Sequence, residues 1–175
     1  MSEPTTDERT GWIQLERATP PERGFVLRTG LWLNAPLEEV FDFFSRAENL
    51  EALTPAMLKF RIVTPVPVEM KEGALIDYRL RLRGLPMRWR SEITGWDPPN
   101  RFVDEQLKGP YRWWHHEHCF TAKDGGTLVL DEVKYNLLGG RLVNRWFVAP
   151  DLERIFRFRH EQLLLRFPPK DTPEA

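Results

Sequence analysis

Along most of the chain apolar and polar residues alternate with a period of two. In ALIDYRLRLRG, Ile76, Tyr78, Leu80 and Leu82 fall on one side and Asp77, Arg79, Arg81 and Arg83 on the other, the pattern of a half-buried antiparallel strand. GLP turns the chain, and MRWRSEIT repeats the alternation with Met87, Trp89 and Ile93 inward and Arg88, Arg90 and Glu92 outward. Asp97-Pro98-Pro99-Asn100 predicts a second turn, followed by strand RFVDEQL, a corner at Gly109-Pro110, strand YRWWHHEHCFTA, the turn KDGG and strand TLVLDEVKYNL. GFVLRTGLWLN, residues 24–34, is one more strand, earlier in the chain.

Two stretches change the period. In APLEEVFDFFSRAENLEAL, Leu37, Val40, Phe43 and Phe44 recur at helical spacing, with Pro36 suited to a first helical turn. Residues 49–57 predict a second short helix ending near Pro55. From Asp151 onward Leu152, Ile155, Phe156, Arg159 and Leu163 mark one stripe of a long helix that continues the apolar run LVNRWFV, and Pro150 is expected to kink or divide it. Residues 1–23, rich in Pro, Thr and charge, predict a mostly irregular leader in which Trp12, Ile13 and Leu15 are the residues able to pack. The folded domain then spans 24–167, and 168–175 is a polar, proline-broken tail.

Strand, two short helices, a long antiparallel meander and a C-terminal helix is the element order of the α+β helix-grip fold, in which a curved sheet of six to seven strands wraps that last helix. One helix cannot fill the concave side of such a sheet, so a cavity lined by inward side chains is expected between them.

Composition narrows what such a cavity serves. A chain of 175 residues builds one core without staples, and its single cysteine, Cys119, excludes an internal disulfide and a Cys-rich zinc framework. Lys and Arg total 25 against 26 Asp and Glu, which gives no electrostatic pull toward nucleic acid. The absence of a long apolar run, and an N-terminus of acids and threonines, predict a soluble, cytoplasmic protein without stable membrane insertion. Neither GxxxxGK[ST] nor GxGxxG is present, so no cofactor is expected. Seven Trp and eleven Phe supply more apolar wall than a small core uses.

LNAPLEEVFDFFSRAENLEALTP, GLPMRWRSEITGWDPPNRFVDEQLKGPYRWWHHEHCF and GGTLVLDEVKYNL, in that order, resemble the bacterial ligand-binding branch of the START/Bet v 1-like superfamily, the SRPBCC or polyketide cyclase-like proteins. The resemblance runs from about Phe25 to Phe167. It departs after Tyr135, where NLLGGRLVNRW replaces the proline and glycine entry to the last helix of such relatives. It implies the helix-grip fold and a lipid, polyketide or aromatic ligand. It does not choose among carriers, receptors, cyclases and hydroxylase domains.

The densest chemistry is GPYRWWHHEHCF, which resembles a metal cluster until strand parity divides it. Trp114, His116, His118 and Phe120 share one face, while His115, Glu117 and Cys119 share the other. A KDGG hairpin sets His118 opposite Asp131 and continues the first face through Val133 and Tyr135. The expected cavity wall is therefore Trp114, His116, His118, Asp131 and Tyr135, with Tyr78, Trp89, Asp104 and Gln106 from neighbouring strands and Arg159 from the helix.

Three readings of this wall compete. In the first, Arg159 pairs with Asp104 or Asp131 in a satisfied structural network. In the second, the polar groups orient a mostly hydrophobic ligand. In the third, His118 and Asp131 act as an acid–base pair of a cyclase or hydrolase, although no GxSxG nucleophile is present and Cys119 points away. A metal is not expected. His116 and His118 supply two ligands and Asp131 a third, but no oriented shell behind them is legible. His115, Glu117, Lys134 and the arginines of 79–90 are expected to be solvated convex-face charges, with an Arg-rich interaction surface as a further alternative. Binding or carriage of a small hydrophobic molecule is the reading that these features favour.

Overall fold

Backbone hydrogen bonds join the alternating segments into one eight-stranded antiparallel sheet in the computed structural model, which describes residues 8–19 and 23–169. The strands are β1 (Trp12–Arg17), β2 (Phe25–Leu33), β3 (Arg61–Ile62), β4 (Leu75–Leu82), β5 (Leu85–Asp97), β6 (Arg101–Lys108), β7 (Trp113–Lys123) and β8 (Gly126–Asn136). Their spatial order is β1-β2-β8-β7-β6-β5-β4-β3. Helix α1 (Leu37–Phe44) follows β2, and α2 (Gly140–Val143) leads through a π-helical turn, Asn144–Val148, into α3 (Ala149–Arg166). The helix-grip α+β fold is present, with one strand more than the upper expected number.

The additional strands are β1 and the two-residue β3. β1 lies within the segment expected to be irregular and pairs with β2 from Trp12↔Gly30 to Arg17↔Phe25. Gly30 makes this possible, because a Cβ there would lie 2.5 Å from the Trp12 indole nitrogen. Residues 1–7, 20–22 and 170–175 lie outside the described residues, and most of the expected tail is among them.

The β7–β8 hairpin closes on two residues, Asp124 and Gly125, whose φ angles of 52° and 76° match a type I′ turn. That turn pairs Lys123 with Gly126 and carries the expected register to His118↔Asp131. The expected second short helix is instead two 3-10 turns, Ala47–Leu50 and Ala56–Leu58. Pro55 separates them, since it has no N–H to donate and biases Thr54 away from helical backbone. Pro150 divides the last helix without breaking it. The preceding turn widens to π geometry, in which the Ala149 N–H reaches the Asn144 carbonyl, and Pro150 stands in the first turn of α3, where an N–H is not needed.

Helix α3 lies across the concave face. Leu163 packs with Leu31, Phe120 and Val129 toward one end, and Leu152 and Phe156 pack with Leu27, Trp114 and Val133 toward the other. Along β7 the sequence Trp114, His116, His118, Phe120 places two histidines between these apolar clusters, each about 5% exposed. The strand interior thus carries a buried polar row flanked by hydrophobic packing on both sides.

Candidate functional site in the concave face

Strand pairing assembles the row. Asp104 on β6 faces His116 on β7, which faces Val133 on β8, and in the adjoining row Phe102, His118, Asp131 and Thr29 stand side by side. The two imidazoles lie 3.8 Å apart between ring centres. His116 Nε2 is 3.1 Å from Asp131 Oδ1, and His118 Nε2 is 3.3 Å from Asp104 Oδ1. His118 Nδ1 approaches Asp131 Oδ1 to 2.6 Å at an angle that leaves this nitrogen without a directed hydrogen bond.

Burial and charge set the protonation of the group. Burial, then the neighbouring His118, pushes His116 down to about 4, so it is neutral near pH 7. Burial also works against a charged His118, but Asp131 and Asp104 outweigh it and raise its pKa. For Asp131 the cost of burial is exceeded by the charge of His118 and by hydrogen bonding, which hold it well below the usual carboxylate range. Asp104 is lowered too: burial opposes ionisation, and the His118 hydrogen bond and the charges of His116, His118 and Arg159 overcome it.

The polar row continues in both directions. Ser91 accepts from Trp89 Nε1 at 3.0 Å, lies 3.1 Å from the Tyr78 hydroxyl, and reaches toward Asp104 Oδ2 at 3.5 Å. On the far side the Thr29 hydroxyl donates to the Trp12 carbonyl at 2.6 Å, so its 2.7 Å contact with His160 must be accepted from a proton on His160 Nε2.

A cavity of about 160 Å³ opens between this wall and α3. Tyr78, Trp89, Asp104, Trp114, His116, His118 and Arg159 of the expected wall line it. Three expected residues take other places. Asp131 sits behind the histidines rather than in the lining. Tyr135 is fully buried and donates to Asn144 Oδ1 at 2.9 Å, bracing the entry to the last helix. Gln106 clasps the corner of the chain, donating to the Tyr111 carbonyl at 2.8 Å and accepting the Tyr111 N–H at 3.3 Å. Tyr135 and Gln106 have the inward parity of their neighbours, but a nearer polar partner claims each side chain.

Ser91, Tyr111, Phe44 and Phe156 also line the cavity. Ser91 was within reach of parity, since it lies between Trp89 and Ile93 on the inward face. Tyr111 was not, because it belongs to the irregular corner before β7. The pairing of Arg159 with Asp104 or Asp131 that the first reading requires is not formed. Its guanidinium carbon lies 4.8 Å from the centre of the Phe156 ring, and its buried Nε has no hydrogen-bond partner among the described residues.

Most of the convex set behaves as surface charge, but Arg83, which stands in the β4–β5 turn rather than on a strand, reaches the last helix and pairs with Asp151 at 3.0 Å. His115 pairs with Glu105 at 2.8 Å, Arg101 with Glu117, and Arg90 with Asp77 at 2.8 Å. Each such exposed pair contributes at most about 1 kcal/mol. No helix among the described residues is long and apolar enough to cross a membrane.

Known proteins carry the same architecture. Protein Ms6760 from Mycobacterium smegmatis superposes with a TM-score of 0.64 at 17% identity, over 88% of this chain and 98% of that one. Ginseng major latex-like protein 151 from Panax ginseng gives 0.60 at 14% identity, over 82% and 97%. A nucleoside-diphosphate sugar epimerase from Corynebacterium glutamicum gives 0.59 at 26% identity, over 79% of this chain but 28% of that longer one. No curated protein sequence matches. The profile of the family described as polyketide cyclase / dehydrase and lipid transport matches residues 33–163, which contain the α1 signature, the histidine strand and Arg159. With the sheet, the gripped helix and that profile in agreement, this chain belongs to the polyketide cyclase / dehydrase and lipid transport family of the SRPBCC, Bet v 1-like fold.

Proposed function

We propose that the protein binds and carries a small, mostly apolar molecule that ends in an acidic group, held between the concave sheet and α3. The observation that carries this reading is Arg159. A guanidinium whose Nε is buried without an acceptor faces a cavity walled chiefly by aromatic and aliphatic side chains. A buried donor left unmade costs about 1–3 kcal/mol, a cost that a carboxylate, enolate or phenolate of a ligand would relieve. The family description, which includes lipid transport, supports the apolar part of the reading. A cavity of about 160 Å³ holds a molecule of roughly one aromatic ring, by comparison with apolar cavities of about 150 Å³ that take up benzene.

The test is a titration of purified protein, followed by quenching of Trp89 and Trp114, with aromatic and short-chain carboxylic acids and their neutral amides. Acids are expected to bind more tightly than amides, and Arg159→Met is expected to abolish that preference. Equal affinity for acid and amide, or no binding of either class, would remove the reading.

A cyclase- or hydrolase-type enzyme is favoured by a different observation. His118 lies between two carboxylates that raise its pKa, which favours the protonated ring able to donate a proton into the cavity. Such a group serves dehydration or ring closure. Turnover of a β-keto acyl substrate that disappears in His118→Gln, with ligand binding retained, would establish it.

A further inference from the structure

Sequence parity offers Asp131 as a third ligand beside His116 and His118 but no carboxylate behind them to orient the rings, so it does not predict a metal. Tertiary pairing provides that carboxylate by exchanging the roles of the two aspartates. We propose that Asp104, His116 and His118 bind one divalent transition-metal ion on the cavity wall, with Asp131 holding both imidazoles from behind.

The geometry carries this. One ligand atom from each of Asp104, His116 and His118 can be chosen so that the three lie within 4.8 Å of one another. Asp104 Oδ1 is 3.5 Å from His116 Nδ1 and 3.3 Å from His118 Nε2. A tetrahedral ion with bonds of about 2.0–2.2 Å spaces its ligand atoms by roughly 3.3–3.6 Å, so two of the three edges already have the required length. The His118 Nε2 hydrogen bond to Asp104 is long for a charge-assisted one, which runs at about 2.7–2.9 Å, and His116 Nδ1 has no hydrogen bond to that carboxylate.

The opposite nitrogen of each ring meets one carboxylate. His116 Nε2 is hydrogen-bonded to Asp131 Oδ1 at 3.1 Å, and His118 Nδ1 lies 2.6 Å from the same oxygen as an ion-pair contact without a directed hydrogen bond. Metal-bound histidines usually present their free N–H to such an acceptor, which fixes the ring and the tautomer. Because Asp131 requires a proton on His116 Nε2, the neutral ring turns a bare Nδ1 lone pair toward Asp104.

Position and charge agree with this. The three ligands stand on the adjacent strands β6 and β7, where pairing fixes their spacing, and all three line the cavity while Asp131 does not. A fourth coordination position therefore opens toward bound molecules, the composition of a reactive rather than a purely structural site. Two imidazoles and a carboxylate suit zinc or ferrous iron, and the one thiol, Cys119, lies on the other face. Asp104 and Asp131 balance a divalent charge, and Arg159 beside them draws an anion to the open position. The metal site does not depend on the proposed apolar ligand, and it is measured separately.

The experiment uses full-length protein stripped with chelator and titrated with Zn2+ against a chromophoric competitor, then with Co2+ read by its visible absorption. One equivalent is expected, with the intense d–d bands of a four-coordinate site. Asp104→Asn and His118→Ala are expected to weaken Zn2+ binding at least about 100-fold, and Asp131→Asn about 10- to 100-fold with stoichiometry retained. His115→Ala, on the convex face, is expected to change nothing. In nitrogen-15 spectra of the wild-type zinc form, one histidine is expected to be ligated through Nδ1 and another through Nε2, a readout that holds even where a variant fails to fold. Absence of stoichiometric binding, binding that survives Asp104→Asn, or binding lost with His115→Ala would overturn the proposal.

Discussion

At the scale of single residues the concave face divides between groups joined by hydrogen bonds and two buried nitrogens, His118 Nδ1 and Arg159 Nε, that have none among the described residues. Thr29, His160, Ser91, Tyr78 and Trp89 are linked by hydrogen bonds of 2.7–3.1 Å, whereas Arg159 keeps a buried Nε with none. Removing an unsatisfied donor relieves a cost, so Arg159→Met is expected to raise unfolding free energy by about 1 kcal/mol, seen as an increase in Tm of about 2–4 °C, while it lowers affinity for acidic ligands. An unchanged or lower Tm in calorimetry would mean that the guanidinium is a structural element. Thr29→Val acts in the opposite direction. It leaves the His160 N–H and the Trp12 carbonyl without their shared hydroxyl and is expected to cost about 1–3 kcal/mol in urea unfolding. His115, Glu117 and Arg90 were readable from parity alone, because a strand allows only two directions, whereas Arg83 sits in a turn and swings to Asp151 of α3. The partners of Gln106 and Tyr135 were not, since Tyr111 and Asn144 come from a corner and a helix whose placement is tertiary.

At the scale of elements, the hairpin turn and β1 are the informative cases. Asp124-Gly125 is a local signal with a local outcome: positive φ at both positions selects the two-residue turn, and that turn sets the register of the whole histidine strand. Gly125→Ala is expected to cost about 1 kcal/mol, measured by urea unfolding, because an L side chain is disfavoured at φ 76°. β1 lacked a strong pattern of its own. It is an edge strand, and what fixes it is the Trp12 ring over Gly30 together with the Trp12 carbonyl held by Thr29. Gly30→Ala drives a methyl group into that indole and is expected to destabilise by about 1–3 kcal/mol, whereas the same substitution at open Gly73 meets no side chain and pays only for its positive φ.

At the scale of the whole molecule, the buried histidines tie stability to pH. His116 and His160 are both pushed down to about 4, first by burial, while an unfolded chain titrates them near 6.5. Between those values the unfolded state binds more protons, so stability of the metal-free protein falls as pH drops from about 6.5 toward 4. Each histidine contributes a slope of at most about 1.4 kcal/mol per pH unit. His118 has the opposite sign. Its raised pKa gives stability that is complete below the unfolded value and is lost as pH rises through the folded one. The lowered Asp104 and Asp131 contribute above the ordinary carboxylate range and lose that contribution only as pH falls through their folded values. Urea unfolding across pH 4–9 is therefore expected to peak near neutrality, and His160→Gln to make the acid limb shallower by about one proton. An acid limb unchanged in that variant would show that His160 does not titrate on unfolding.

What the sequence determined by itself was direction and order: period-two strands, the switch to helical spacing at α1 and α3, the inward face of β7, and the pairing of His118 with Asp131. These follow from local geometry, in which a side chain's face is set by its parity and a hairpin's register by its turn. What only the tertiary structure decided was company. Asp104 is separated from His116 by a corner and a register that parity cannot measure, Asp131 was placed in the wall although it lies behind it, and the carboxylate partner that one reading gave Arg159 is not supplied by the described residues. Contacts between strands and across to a helix depend on bulges, sheet curvature and the seating of α3, which are set by packing of the whole domain rather than by any stretch of the chain.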